Sequence, residues 1–130
     1  MGKNPNSIDD LEIFDIITDL NKRKYIQTIF CCSGHHLWED RKNWNLPHIE
    51  YYSYNQQGYD LTKNIEKQIL KELPENTPRI VPKIKYHKDS SLRFSGLYEG
   101  DLNVPEEDIK KSVNHFWSSF RRGINNFNSS

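Results

Sequence analysis

The chain predicts a single α+β domain: a mainly antiparallel sheet of about four to five strands with about three helices packed on it. Three observations carry this. Apolar stripes of helical period recur near the start, middle and end of the 130 residues. Two pairs of β-type segments lie between them, in the order helix, strand, strand, helix, strand, strand, helix. The second pair is joined by a short turn, the signature of an antiparallel hairpin.

Taken in order, residues 1–6 read as a loose tail. Ser7 is a good N-cap with Asp10 in the capping-box position. Leu11, Phe14, Ile17 and Leu20 follow at helical spacing, flanked by Ile13 and Ile16, which predicts a helix over 8–21. Residues 25–32 read as a strand with Ile26, Thr28 and Phe30 on one face and Tyr25, Gln27, Ile29 and Cys31 on the other. Ser33-Gly34 ends it. The stretch 35–47 reads as a long loop carrying Trp38 and Trp44, suited to a lid or wall. Residues 48–54 form a second strand and 55–58 a turn. Leu61, Ile65, Ile69 and Leu73, with Pro74 beyond, predict a helix over 61–73. Residues 79–87 read as a third strand, at an edge or bulged, because Pro82 cannot donate to a ladder. Asp89-Ser90-Ser91 is the turn into a fourth strand over 92–98, with Leu92, Phe94 and Leu97 inward. Pro105 opens the last helix, with Glu106, Glu107 and Asp108 at its positive end. Ile109, Val113, Phe116 and Phe120 make its core stripe, with Trp117 beside them. Arg121 and Arg122 close its last turn and Gly123 is the expected C-cap.

Composition narrows the function classes. Aromatic residues are 12% of the chain, which argues against disorder. A domain of this size buries roughly two-thirds of its unfolded surface and needs no staples. The net charge is zero, so a strongly basic nucleic-acid binder is excluded and nucleic acid is not an expected partner. Charge is nonetheless uneven. Residues 9–19 carry Asp9, Asp10, Glu12, Asp15 and Asp19 without a cation. Residues 79–93 carry Arg79, Lys83, Lys85, Lys88 and Arg93 against Asp89 alone, an asymmetry that can steer an anion to one face. Two adjacent cysteines do not make a disulfide framework. No apolar run approaches the length of a membrane span, so no membrane partner is expected and a cytoplasmic location is the default. The abundance of Lys, Asn and Ile hints at an A·T-rich prokaryotic or phage genome.

Reactive side chains concentrate in YIQTIFCCSGHH, residues 25–36, which brings Cys31, Cys32, His35 and His36 to one strand end. A glycine turn after a strand frees successive backbone N–H groups for an anion nest, and Ser33 and His35 can add donors. The plain alternative is a strand ending in a turn. Adjacent cysteines point to opposite faces of a strand and there is no CxxC pair, so a zinc site is not expected. The longer segment DLNKRKYIQTIFCCSGHHL resembles the start of the wybutosine-synthesising protein 3 family, in which a Cys-Ser-Gly corner follows the first helix. It is also similar to small phage and bacterial proteins with a CCSGH corner. The family resemblance implies methyl transfer from S-adenosylmethionine during tRNA modification. It covers about 20 residues, and the family's arginine after the glycine is His35 here.

Lys83, Lys85 and His87 share one face of a predicted strand, and Arg93 follows across the turn, near Tyr86 and Phe94. Cations suit phosphates and aromatic rings suit bases. Lysines also protect edge strands, which is the plain reading. Arg93 stands out as an arginine among core aromatics. The expected ligand-binding set is therefore Cys32, Ser33, Gly34, His35, Trp38, Lys83, Lys85, His87 and Arg93. No catalytic set, metal or cofactor is expected. The function this points to is non-enzymatic binding of an anionic, nucleotide-like small molecule. A phage sponge for a host immune nucleotide, of anti-Thoeris or anti-CBASS type, is one form of it. Two alternatives stand beside it: a methyltransferase-like protein that binds S-adenosylmethionine, and a protein-interaction module that inhibits a host enzyme. Small binders often place sites between protomers, which keeps a homo-oligomer open.

Overall fold

The computed structural model describes residues 8–32, 47–101 and 103–127. Its elements are α1 (Ile8–Asn21), β1 (Ile26–Cys32), β2 (His48–Ser53), α2 (Gln56–Lys71), β3 (Arg79–Tyr86), β4 (Ser91–Glu99) and α3 (Glu106–Asn125). The strands form one antiparallel sheet in the order β1-β2-β4-β3. This is the α+β class that the periodicities predict, with four strands and three helices among the described residues.

The sheet is two-faced. Ile49 and Tyr51 of β2 stand opposite Phe94 and Leu92 of β4, and Phe94 in turn opposes Ile84 of β3. Ile49, Tyr51, Leu92 and Phe94 are fully buried in one core with residues of all three helices. Phe94, Phe116, Trp117 and Phe120 form its aromatic centre, with edge-on contacts at ring-centroid distances of 4.9 Å (Phe94–Phe120) and 5.0 Å (Phe116–Trp117). The opposite face carries Glu50, Tyr52, Lys83, Lys85, Arg93 and Leu97, exposed or half-buried, together with His48, which is buried. Leu97 thus faces outward rather than inward, because it alternates with the buried Phe94 and Gly96 along β4.

Local chemistry sets the element ends. Asn21 leaves α1 and reaches the edge of β1, where its Oδ1 accepts the Thr28 N–H (3.0 Å) and its Nδ2 donates to Thr28 Oγ1 (2.8 Å). That occupies an edge donor that would otherwise invite another strand. Asn55 caps α2 by accepting the Gly58 N–H. The Tyr51 hydroxyl lies 2.5 Å from Thr62 Oγ1, and Thr62 donates its own proton to the Gly58 carbonyl at 2.8 Å. Tyr51 is therefore the donor of the pair, and burial pushes its pKa above the usual tyrosine range.

Two glycines permit close approaches. A Cβ on Gly123 would lie 2.6 Å from the Ile65 Cα, so α2 and α3 touch backbone to backbone. Beside this contact Asn64 donates to the Gly123 carbonyl at 2.7 Å. A Cβ on Gly96 would meet Ile80 Cγ2 at 2.2 Å and Phe116 Cε1 at 3.2 Å. The Glu72 carboxylate, just past the end of α2, ties the same helix pair. It accepts from Ser119 Oγ (2.7 Å) and from the Arg122 guanidinium through both oxygens.

Several sequence expectations need correction. The turn expected at 55–58 is the cap and first turn of α2, which starts five residues before Leu61 because Asn55 caps it and Gly58 fits against Ser53. Gly123 is not a C-cap. It lies inside α3, chosen for closeness to Ile65 rather than for a left-handed turn. Among the described side chains of α1, Ile13, Ile16 and Leu20 are buried and Ile17 partly so, while Phe14 is 66% exposed; over these residues the inward stripe is rotated from the one expected, and Leu11 lies outside the described side chains. In β1 the register shifts between Thr28 and Phe30, so the alternation over 25–32 breaks at Ile29, which is half exposed. Pro82 lies in an edge strand, as its missing donor requires.

Candidate functional site

Of the residues singled out as a binding set, Ser33, Gly34, His35 and Trp38 lie outside the described residues, as do His36 and Trp44. Cys32 ends β1 at the register position opposite His48. The register then runs on through Ser95 to Lys83, making one cross-strand row, Cys32–His48–Ser95–Lys83. The next row is Phe30–Glu50–Arg93–Lys85. Tyr52 pairs with Ser91, whose carbonyl accepts the His87 N–H at 2.9 Å beyond the end of β3. The antiparallel pairing thus brings Lys83, Lys85 and Arg93 together on the open face, although they come from two strands.

The neighbours of these cations differ from those expected. Phe94 is fully buried on the other face, and Tyr86 packs against Tyr59 of α2 (centroids 5.8 Å). Among the described side chains, Tyr52 shares the cations' face through its place on β2, and it stacks nearly parallel on Tyr54 at 5.6 Å and 10°. The Tyr54 hydroxyl donates to Gln27 Oε1 at 2.6 Å, which fixes that ring near the β1 edge. Tyr54 also forms one wall of a cleft of about 400 Å³, shared with Lys24, Tyr25, Asn55 and Gln57.

Arg93 is not a lone cation among core aromatics. It is exposed and has a cross-strand partner, the Glu50 carboxylate, at 3.7 Å. That separation is an ion pair without a hydrogen bond, so the guanidinium donors stay available. Among the described residues Lys83 and Lys85 carry no ion pair. Arg79 is committed elsewhere: its Nε donates to Glu99 (2.8 Å) and it reaches the Pro74 carbonyl (2.9 Å). Asp89 holds the hairpin turn by accepting the Ser91 N–H and hydroxyl, and those bonds lower its pKa. His87 and Lys88 are exposed beside that turn.

Two features escaped the sequence reading. Glu50 is the first. The alternation of HIEYYSY could have found it, since Glu50, Tyr52 and Tyr54 share a parity that excludes the buried Ile49 and Tyr51. The second is the Glu72 cluster, joined by the Glu72 backbone carbonyl to His115 Nε2 at 2.8 Å. No local signal links residues so far apart in sequence. A nearby cleft of about 270 Å³ is lined by Pro74, Pro78, Asp108, Lys111, Ser112 and His115. The Ser112 hydroxyl there is shared between the Pro78 and Asp108 carbonyls. Among the described residues no group of three or more His, Cys, Asp or Glu side chains could hold a metal ion. His35 and His36 of the Cys/His corner lie outside the described residues. No described helix is long and apolar enough to cross a membrane.

These observations define an α+β domain with helices on one sheet face and a mixed cationic and aromatic surface on the other. Comparison with protein-family models, with curated proteins and with solved structures finds no match to the chain.

Proposed function

We propose that the protein binds an anionic, nucleotide-like small molecule on the open face of its sheet and catalyses no reaction on it. One observation carries this reading: Arg93, Lys85 and Lys83 share a face with the stacked pair Tyr52–Tyr54. Phosphate needs a cluster of donors that are not already spent on carboxylates. A base needs an aromatic surface that sheds water on stacking. Both lie within two strands of each other, and adjacent strands are about 4.8 Å apart. A small protein that only holds such a ligand acts by lowering its free concentration. That is the behaviour of a phage-encoded sponge for a host immune nucleotide.

Calorimetric titration with a panel of nucleoside mono-, di- and triphosphates, cyclic nucleotides and cyclic ADP-ribose isomers tests the reading. Saturable binding to one class is expected. Arg93→Ala should weaken it by about 1.5–3 kcal/mol, the scale of a charge-assisted hydrogen bond, and leave thermal melting unchanged. No heat across the whole panel would overturn the proposal. Loss of fold in Arg93→Ala would make Arg93 a structural residue.

A further inference from the structure

Glu50 is out of place on a surface for anions. It lies in the middle of the proposed site, opposite Arg93 on β4 and two residues from Tyr52 on β2. Its side chain is about a quarter exposed (26%) and Arg93's is 44% exposed. A cross-strand ion pair on an exposed sheet face contributes little to stability. A carboxylate in that position also repels any phosphate that settles beside it. The plain reading gives no reason for the acid to sit between the aromatic pair and the cations.

Its position along β2 supplies one. The outward residues run Tyr54, Tyr52, Glu50, and Arg93 with Lys85 continues the Glu50 row across the sheet. An ionised carboxylate only accepts hydrogen bonds. In a nucleotide the group between base and phosphate is the ribose, whose cis-diol presents two hydroxyl donors. Carboxylates recognise that diol in dinucleotide-binding folds of other architecture for the same reason. We infer that Glu50 is the ribose subsite, so that the ligand is a ribonucleotide with a free 2′,3′-diol. Its base stacks on Tyr52 and Tyr54, its diol donates to Glu50, and its phosphates meet Arg93, Lys85 and Lys83. This rests on the nucleotide reading above and narrows it. Deoxyribonucleotides leave one carboxylate oxygen without its donor, and 3′,5′-cyclic nucleotides lack the diol.

The test is calorimetry on the wild-type chain with ADP, GDP and their 2′-deoxy forms, repeated on Glu50→Gln. A ribose preference of at least tenfold is expected in the wild type. Glu50→Gln should reduce that ratio to near one, chiefly by weakening the ribonucleotide, while the deoxy form binds as well or better once the negative charge is gone. A structural role for Glu50 would weaken both forms alike and leave the ratio standing. Equal binding of ribo and deoxy forms to the wild type overturns the ribose assignment and leaves nucleotide binding intact. An unchanged ratio in Glu50→Gln overturns the assignment to Glu50. Absence of binding by every nucleotide overturns both readings together. The wild-type ratio needs no variant, so a Glu50→Gln protein that misfolds does not shield the inference.

Discussion

Gly123→Ala tests the packing of the two long helices. The change adds one methyl to the middle of α3, at a buried position facing α2. Helix propensity alone favours the substitution by about 1 kcal/mol, since alanine loses less backbone freedom than glycine. Geometry opposes it. The new Cβ would stand 2.6 Å from the Ile65 Cα and 3.3 Å from the Gln68 and Ile65 Cβ atoms. The nearest of these is backbone and cannot rotate aside. Restoring an ordinary contact of 3.4 Å requires the helices to part by about 0.8 Å. That separation loosens Ile65, Ile69 and Ile124, all essentially fully buried, and stretches the Asn64 bond to the Gly123 carbonyl. Overpacking of a well-filled core costs about 1–3 kcal/mol, and strain borne by two backbones belongs at the upper end. The packing term therefore wins, for a net loss of about 1–2 kcal/mol. For a domain of this size the melting temperature should fall by roughly 4–10 °C. Calorimetric melting of the two proteins under one buffer measures it. A Gly123→Ala protein that melts at or above the wild type refutes the close helix contact.

Phe116→Ala should cost about 3–5 kcal/mol, because the ring is fully buried and touches Phe94, Trp117 and Phe120; unchanged urea unfolding would show that α3 turns a different face inward. Glu72 gives an acid-stability prediction. The bonds from Arg122, then Ser119 and Gln68, outweigh burial and hold its pKa at about 2. Being depressed in the fold, the carboxylate contributes stability that is complete above its unfolded value near 4.3, and that stability is lost as pH falls toward 2. Arg122 is half exposed (51%), so solvent screens the pair and the contribution is about 1 kcal/mol. Glu72→Gln should lower the urea midpoint at pH 7 and flatten its decline between pH 5 and 2, and parallel pH profiles for variant and wild type would contradict the assignment.

The sequence by itself determined the class and the order of helical and strand segments, because period is a local property, and it left the strand count at four to five. The bounds of α1 follow from Ser7, the apolar spacing and the polar exit at Asn21, and they agree with the fold. The edge position of β3 follows from one missing donor at Pro82. The α3 stripe Ile109, Val113, Phe116 and Phe120 is buried as its spacing requires. Where two local signals competed, tertiary contacts decided. Gly58 resembles a turn residue and Gly123 a helix stop, yet each is a glycine because a neighbour, Ser53 or Ile65, leaves no room for a Cβ. Which of Phe14 and Ile16 faces inward depended on where β1 and α3 lie, and the bulge at Ile29 depended on pairing with β2. The candidate site divides in the same way. That Lys83 and Lys85 share a face was legible from strand parity. That Arg93 joins them, that Phe94 and Tyr86 do not, and that Glu50 and Tyr52 complete the surface are consequences of strand order and register. Those are set by which side chains can be buried together across the sheet, and no single segment of the chain contains that information.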